Sequence, residues 1–312
     1  MQTSVTGIKK IAVLDGGGVR GKFTHGICTL LAFNTSDGKL SKVFDLIVGV
    51  SVGSWIAALI GLGMMDLKES SKTELKSNNI LFSQINDVFR NENEFGLLAN
   101  PKYDGVGKHE LLHRVFHRKQ MKDMLTKVAI VCLRLQGKVE IFQSWNPKHQ
   151  DLFIADILDA SSAVPVYFPV VEIPNFGYYA DGGIRANTPL NHSWLQADEL
   201  WPTSTLRILS IGTQNICEID IDEDFKDFVK HMGLFAWLAF GIFDVISGAA
   251  DDSEIKMMRR ILGLHNFLRI YCDCGSMRLD DISLEAEARM QNSIKNTWSK
   301  DGANLLRFCG IK

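Results

Sequence analysis

A serine between two glycines is the first residue of this sequence whose surroundings suggest chemistry. Ser51 lies in a Gly-x-Ser-x-Gly pattern with Gly49 and Gly53. The apolar, β-type residues 43–48 precede the pattern, and the helix-type apolar residues 55–62 follow it. A strand, a sharp turn and a helix in this order form a nucleophile elbow, which exposes the serine hydroxyl at the turn. The spacing predicts a nucleophilic serine, and a buried turn without a catalytic role is the alternative.

A glycine-rich turn at residues 15–21, Asp-Gly-Gly-Gly-Val-Arg-Gly, is the second candidate. Residues 10–14 before it predict a short buried strand, and residues 23–33 after it predict a helix with apolar periodicity. The N–H groups of successive glycines at a helix N-terminus can bind the oxyanion of a tetrahedral intermediate. This interpretation also explains why a serine elbow follows on the next predicted strand.

Two nucleotide-binding interpretations compete for the same turn. Gly16, Gly18 and Gly21 match the Gly-x-Gly-x-x-Gly fingerprint of dinucleotide-binding folds, which needs an acidic residue at the end of the second strand. The sequence has the serine elbow there instead. The turn also approaches a P-loop, but Phe23 occupies the position where Ser or Thr must bind magnesium. A nucleotide-binding module built on residues 16–21 therefore remains the alternative to an enzyme.

A third candidate is Asp181, which directly precedes Gly182 and Gly183. An Asp before paired glycines is typical of a tight turn in which two backbone segments approach closely. From these residues alone, an Asx turn without chemistry and a functional carboxylate are both open.

Composition excludes several classes of protein. The chain has 312 residues, 46% hydrophobic and 22% charged, which is ordinary for a globular fold. A net charge of −2 gives no indication of nucleic-acid binding. The six cysteines are scattered without a zinc pattern, which favours core thiols in a reducing compartment. Residues 1–10 are polar and lack the apolar segment of a signal peptide.

Two uncharged runs require a decision between membrane and core. Residues 46–65 are long enough to span a bilayer, but they contain the serine elbow, and we expect a buried strand, turn and helix. Residues 232–243 are too short to span. They predict a core helix, with a lipid-facing flap, including an apolar wall for an acyl chain around Trp237, as the alternative.

Three histidines recur at helical spacing and raise the question of a metal site. His109, His113 and His117 share one face of a predicted helix. No carboxylate or cysteine at matching positions completes a site, and basic residues such as Lys108 and Arg114 surround them. We therefore expect a solvated basic helix face rather than a metal site.

Three motifs in this order resemble the patatin-like phospholipase family: the glycine-rich turn at residues 15–21, the elbow at 49–53, and Asp-Gly-Gly at 181–183. The flanking residues 102–105 and 160–169 are also similar to the family. The resemblance covers roughly residues 8–280. It implies one domain over residues 1–312, with a three-layer α/β/α sandwich and a central, mostly parallel sheet.

The resemblance also implies an activity and its residues. It implies a serine lipid acyl hydrolase of phospholipase A type, which works through a Ser-Asp dyad without a metal or cofactor. Ser51 is then the nucleophile and Asp181 the base, and Gly16, Gly17 and Gly18 form the oxyanion hole. Arg20 corresponds to the family's arginine, for which phosphate contact and bracing of the loop are both open. The remaining motif glycines are Gly21, Gly49, Gly53, Gly182 and Gly183.

The same resemblance implies a lipid or phospholipid substrate, peripheral contact with a membrane or micelle surface, and no nucleic-acid partner. It fits a cytoplasmic or peripheral membrane location. The visible departures from the family pattern, Val50 and Val52 beside the serine, are conservative. A catalytically inactive lipid-binding protein remains a further alternative.

Overall fold

The structure is a computed structural model that describes residues 6–66, 81–89, 92, 100–214, 242–275 and 277–311, with residues 242–251 described by their backbone alone. An eight-stranded sheet organises this part of the chain. Its strands are β1 Thr6–Leu14, β2 Leu46–Val50, β3 Lys127–Arg134, β4 Lys138–Gln143, β5 Val171–Ile173, β6 Gly177–Asp181, β7 Ser204–Gly212 and β8 Phe267–Tyr271.

The sheet is mostly parallel, as predicted. Its order is β5-β6-β3-β2-β1-β7-β8, and β4 also pairs with β3. The strands β3, β2, β1, β7 and β8 pair in parallel, whereas β4, β5 and β6 are joined by antiparallel pairings. The carboxyl ends of β1 and β2 therefore lie side by side, which is where open α/β sheets place their ligands.

Helices cover both faces of the sheet. The helices are α1 Gly21–Asn34, α2 Val52–Gly61, α3 Val106–Phe116, α4 Ile154–Ser161, α5 Gly183–Ala186, α6 Leu190–Leu200, α7 Ile242–Leu262 and α8 Leu284–Cys309. Alternate residues of the central strands point into two separate cores. In β1, for example, Leu14 packs into one core and Val13 into the other. This arrangement is the predicted three-layer sandwich.

The uncharged run at residues 46–65 folds as β2, the elbow and α2, as expected, and it is buried. In the described part of the chain, no helix combines the length and the apolar character that a membrane crossing requires.

Several element boundaries differ from the sequence predictions. The second strand begins at Leu46 rather than at residue 43, because a 3-10 turn at Leu40–Lys42 leaves Val43 in the helical region of the backbone map. Pro169 and Pro174 in the apolar residues 167–179 predict irregular structure, but this stretch contains β5 and most of β6. The sequence also predicts a closing helix over residues 284–298, and this helix continues to Cys309 because apolar spacing persists through the buried Leu305.

The cysteines support the prediction of core thiols where they are described. Cys28, Cys132, Cys272, Cys274 and Cys309 are free and buried. The sixth cysteine, Cys217, lies outside the described residues. The apolar segment at residues 232–241, with Trp237 and the suggested acyl wall, also lies outside them.

Candidate active site

Ser51 occupies the turn between β2 and α2 in a backbone conformation that few residues adopt. Its φ is 52° and its ψ −132°. Such a conformation costs about 1–3 kcal/mol for a residue other than glycine and persists only when the surrounding structure enforces it. The side chain makes no capping hydrogen bond to α2, and the residue is 5% exposed. The hydroxyl is therefore not used to cap α2.

The elbow's tight packing explains why glycines flank the serine. A Cβ atom on Gly49 would collide with the carbonyl of Gly53, and a Cβ atom on Gly53 would collide with the carbonyl oxygen of Leu14. The start of α2 can therefore lie directly against the end of β1. This contact brings the elbow next to the turn that follows β1.

A hydrogen bond from the neighbouring helix also fixes the elbow. The backbone N–H of Ser51 donates to Ser161 Oγ at 3.0 Å, and Ser161 Oγ donates in turn to the carbonyl of Val131 at 2.7 Å. Ser161 lies at the end of α4, in the flanking stretch at 160–169. That stretch therefore holds the nucleophile's backbone against β3.

The glycine-rich turn presents two unpaired backbone donors beside the serine. The N–H of Gly16 donates to the carbonyl of Asn187 at 3.1 Å, and that of Val19 to the carbonyl of Leu279 at 2.9 Å. Gly17 and Gly18 form no such bond with the described residues. Gly17 has a φ of 149° and Gly18 a φ of 59°, conformations that favour glycine. The available donors are thus Gly17 and Gly18, whereas the amide of Gly16 is already paired.

Arg20 braces this turn. The residue is buried, its Nε donates to the carbonyl of Gly17 at 3.0 Å, and a terminal nitrogen donates to the carbonyl of Met277 at 3.0 Å. Of the two roles left open by the sequence, these contacts favour bracing of the loop.

A buried ion pair anchors the turn from the other side. Arg269 on β8 donates to both carboxylate oxygens of Asp15, at 3.0 and 2.5 Å, and Thr188 Oγ1 donates to the same carboxylate at 2.6 Å. Burial raises the pKa of Asp15, and the Arg269 guanidinium opposes that rise. Bidentate pairs of this kind fix orientation as well as charge. Arg269 belongs to none of the three motifs, and sequence reasoning missed it.

Asp181 ends β6 and lies in the same buried region as Ser51. It is 2% exposed. Its Oδ1 accepts a hydrogen bond of 2.6 Å from the N–H of Gly183, so the Asx turn is present. Its Oδ2 is buried and receives no hydrogen bond from the described residues. Both interpretations of Asp181 therefore fit one carboxylate, since one oxygen holds the turn and the other is free to accept a proton.

The environment of Asp181 suits a base at neutral pH. Burial raises the pKa of its carboxyl to about 6, against opposing effects of the Ser51 hydroxyl, the Gly183 N–H and the Lys108 ammonium. A carboxylate with a pKa in this range accepts a proton more readily than an ordinary Asp. The motif glycine Gly182 packs against the backbone of Val131 on β3 and so fixes the end of β6.

A narrow apolar cavity adjoins Ser51. Its walls include Trp55, Val88, Phe89, Phe168 and Leu279. The cavity measures about 20 Å³, enough for one water molecule.

Lys108 also lines this cavity, which contradicts the expectation of a solvated basic face at this position. It is 2% exposed and lies on α3. The reason is its spacing, because Lys108 shares a helix face with the buried Leu112 and Val115. That spacing is the signal that could have found it. The histidines of the same helix fit the prediction better: His109 is 54% exposed.

Among the histidines that the structure describes, none lines the cavity beside Ser51. His265 is exposed, and His192 lies beside Arg185, where burial and that charge lower its pKa. Among the described residues, no group of three His, Cys, Asp or Glu side chains could hold a metal ion.

Comparison with known proteins gives consistent similarities. A family model described as patatin-like phospholipase matches residues 12–194. Patatin-like protein 2 of Oryza sativa subsp. indica is 27% identical over 347 residues, which cover 92% of this chain and 83% of the rice protein. The cGAMP-activated phospholipase of Pseudomonas aeruginosa is 28% identical over 275 residues, which cover 83% of this chain and 77% of that protein. The crystal structure of VipD from Legionella pneumophila aligns with a TM-score of 0.38 and 13% identity over 92% of this chain and 67% of that chain.

Proposed function

The chain belongs to the patatin-like phospholipase family, and we propose that it is a serine lipid acyl hydrolase that releases fatty acyl chains from phospholipids or related acyl lipids through a covalent acyl-enzyme. In this proposal Ser51 is the nucleophile, Asp181 is the general base, and the amides of Gly17 and Gly18 bind the oxyanion. No cofactor enters the reaction.

Acylation begins when Asp181 Oδ2 takes the proton of the Ser51 hydroxyl as Ser51 Oγ bonds to the ester carbonyl carbon. The carbonyl oxygen becomes an oxyanion, which the N–H groups of Gly17 and Gly18 stabilise in a site that excludes water. The tetrahedral intermediate then collapses. The bond to the lipid alcohol breaks, the alcohol leaves with the proton from Asp181, and the acyl group stays on Ser51.

Deacylation repeats these steps with water. Asp181 accepts a proton from a water molecule whose oxygen bonds to the acyl carbon. A second oxyanion forms and collapses, and the bond to Ser51 Oγ breaks as Oγ regains the proton from Asp181. The products are a free fatty acid and the original serine. One carboxylate thus carries the proton in both halves of the reaction.

One observation carries the proposal: within the described residues, a strained serine after β2 has beside it two unpaired amides after β1 and an unpaired buried carboxylate oxygen at the end of β6. Each group would be costly to keep without a partner in a merely structural turn. Together they correspond to the nucleophile, the oxyanion donors and the base of an acyl transfer.

The nucleotide-binding alternative receives less support from the same region. A P-loop lysine must reach the phosphates of a nucleotide. Lys22, which follows the glycine-rich turn, instead forms an ion pair with Glu287 on α8. The turn therefore lacks an available lysine at the position where this alternative needs one.

We also propose contact with the surface of a membrane or micelle, since the substrate esters lie there. Leu284 is 90% exposed at the start of α8. It lies five residues after Leu279, which lines the Ser51 cavity. A Leu284→Ser variant should sediment less with phosphatidylcholine vesicles while its hydrolysis of a soluble short-chain ester is unchanged. Unchanged sedimentation would remove Leu284 from the contact.

Labelling with a fluorophosphonate probe tests the catalytic assignment, because this probe reacts with an activated serine. We expect peptide mass spectrometry to find one phosphonylated residue, Ser51. The Ser51→Ala variant should take up no label and should release no fatty acid from phosphatidylcholine micelles. Ser299, exposed on α8, gives the matched control, and Ser299→Ala should behave as the wild type.

The outcome separates the three functions. A wild-type protein that takes up no label but sediments with vesicles would be the inactive lipid-binding protein. A protein that takes up no label but is stabilised against heat by ATP or NAD would revive the nucleotide-binding module. Activity retained by Ser51→Ala would overturn the assignment of the nucleophile.

A further inference from the structure

A lysine ammonium is buried in the wall of the Ser51 cavity, although the proposed reaction does not use it. Lys108 reaches this position from α3 and is almost completely inaccessible to solvent. A buried, unpaired ammonium costs several kcal/mol, so buried lysines are retained only with a partner or a function. The role of Lys108 therefore requires an explanation.

The ammonium is held in place by the end of α4. Lys108 Nζ donates to the carbonyl of Asp159 at 2.9 Å and lies 3.0 Å from the same residue's carboxylate. The Ser162 hydroxyl is 3.5 Å away, and the Phe168 ring centre is 4.6 Å away. These contacts fix the ammonium on the inner side of α4. Its main partner, Asp159, lies two residues before Ser161, which anchors the elbow. The same helix therefore sets the positions of the ammonium and of the nucleophile.

The partner carboxylate is shared with a residue at the surface. Asp159 Oδ1 faces Lys108, and Asp159 Oδ2 lies 2.9 Å from His109 Nδ1. The Asp159 carboxylate is thus directed away from the cavity by two contacts on α3. Lys108, by contrast, lines the cavity together with Ser51, whereas Asp159 is not among the residues that line it.

Asp181 lies on the other side of the segment that holds this cation. Its backbone N–H donates to the carbonyl of Ala163 at 2.9 Å, and the preceding residue, Ser162, has its hydroxyl 3.5 Å from Lys108 Nζ. The thiol of Cys132, which pairs with Asp181 in the sheet register, has a pKa held well above its usual value by burial and is neutral. Burial lowers the pKa of Lys108 and the Asp159 carboxylate opposes that fall. As an ammonium, Lys108 is the cation that acts on Asp181 among the described residues.

We propose that Lys108 is a positioning residue that acts through its charge: fixed by Asp159, it keeps the Asp181 carboxylate ionised and so available as the base at neutral pH. This inference rests on the proposed function of Asp181. The inference extends the proposed function because it assigns a role to Lys108 on α3 and to Asp159 on α4, which both lie outside the three motifs.

The expected sign follows from the charge. An ammonium stabilises the ionised form of a nearby carboxylate and lowers its pKa. Removal of the ammonium should raise the pKa of Asp181, so that the base becomes protonated at a higher pH. The acidic limb of the kcat/KM profile reports the base of the free enzyme and should move upward with it.

The test compares Lys108→Met with the wild type, using a soluble short-chain p-nitrophenyl ester between about pH 4.5 and 8.5. Methionine keeps the length of the side chain and removes its charge. We expect the acidic limb to move upward by about one pH unit. At pH values below the acidic limb, kcat/KM of the variant should be about one tenth of the wild-type value. At pH values above the limb, the two values should be nearly equal.

Two further variants separate the charge from the packing. Arg114→Met removes a positive charge from the exposed face of α3 and should leave the limb where it is. The double variant Lys108→Met with Asp159→Asn removes both buried charges, so it keeps the fold if the single variant loses stability. It should still show the upward shift. A melting curve for each variant shows whether the fold is intact.

The possible outcomes are distinct. If the limb of the folded Lys108→Met protein does not move and activity falls equally at every pH, Lys108 has only a packing role and the inference is wrong. The same conclusion follows if Arg114→Met moves the limb as far. If the fluorophosphonate fails to label Ser51 in the wild type, the proposed function itself fails.

Discussion

Two walls of the Ser51 site differ in how they carry charge. One wall is the turn after β1, where the uncharged backbone amides of Gly17 and Gly18 lie beside Ser51 and form no hydrogen bond with the described residues. The other is formed by α3 and α4, where the ionised side chains of Lys108 and Asp159 are buried together. In the proposed mechanism the first wall faces the oxygen where charge develops, and the second faces the base.

The difference shows how a buried site can stabilise transient charge. Backbone dipoles held rigidly by their own turn need little reorganisation when an oxyanion forms. In the proposal above, the full charge of Lys108 instead sets the protonation state of the base. The amides of the first wall therefore affect the height of the reaction barrier. The charges of the second wall affect the fraction of enzyme molecules whose base is ionised.

The largest effect is expected at Asp181, which lies between the two walls. Asp181→Asn removes the proton acceptor and should lower kcat for ester hydrolysis by roughly 10²- to 10⁴-fold. The same variant should be more stable than the wild type at neutral pH. The folded-state pKa of about 6 lies above the ordinary pKa of an aspartate, 3.8, so folding disfavours the ionised form by about 3 kcal/mol above pH 6.

This cost has a defined dependence on pH. It is present in full above the folded-state pKa of about 6 and disappears as the pH falls through that value toward 3.8. Urea unfolding of both proteins across this range measures the difference. We expect the stability advantage of Asp181→Asn to shrink as the pH is lowered. An advantage that is constant with pH would mean that the pKa of Asp181 is the same in the folded and the unfolded protein, so that burial does not raise it.

The two walls also differ in how far the sequence predicts them. The serine elbow and the glycine-rich turn each lie within a short stretch of chain, so strand and helix patterns on either side were enough to place Ser51 and Gly17. The mostly parallel sheet was implied by the family resemblance. Chemistry that depends on backbone geometry is thus encoded locally, where glycines and apolar runs mark it.

The missed residues depend on contacts between distant parts of the chain. Arg269 meets Asp15 across 254 positions, and Lys108 meets Asp159 across 51. A charged residue on a helix suggests solvent unless the packing of that helix is known. The spacing of Lys108 with Leu112 and Val115 indicates a buried helix face, but only the folded structure shows that Asp159 is its partner. Local patterns also could not fix the start of β2, because a 3-10 turn displaced it from Val43.

A pair of variants tests whether the shape of the glycine-rich turn depends on the distant Arg269. Arg269→Met leaves the Asp15 carboxylate buried without its partner and should lower the free energy of unfolding by about 3–5 kcal/mol. The double variant with Asp15→Asn removes both charges and should recover most of this loss in urea unfolding. If Arg269 also positions the amides of Gly17 and Gly18, the folded double variant should remain slower in ester hydrolysis, because a small misplacement of catalytic groups is costly.

The control for this pair is Arg207→Met, which removes a cation that contacts a backbone carbonyl and the ring of Phe308 far from the turn. It should leave kcat unchanged. A double variant of Asp15 and Arg269 that regains full activity together with its stability would show that the glycine-rich turn keeps its shape without the distant arginine.

The smallest effect is expected at the histidines, and it decides between a dyad and a triad. An α/β-hydrolase triad runs Ser, acid, His along the chain, and both His192 and His265 obey that order after Ser51 and Asp181. Neither lines the Ser51 cavity, and His265 is exposed. Asp181 instead has an unpaired, buried oxygen of its own and a pKa raised to about 6. A carboxylate of that basicity can accept the serine proton directly, and an ester's alcohol needs less assistance in leaving than an amine. We therefore expect His192→Ala and His265→Ala each to keep kcat/KM within about threefold of the wild type. A hundredfold loss in either folded variant would require a proton path through that histidine and would replace the dyad by a triad.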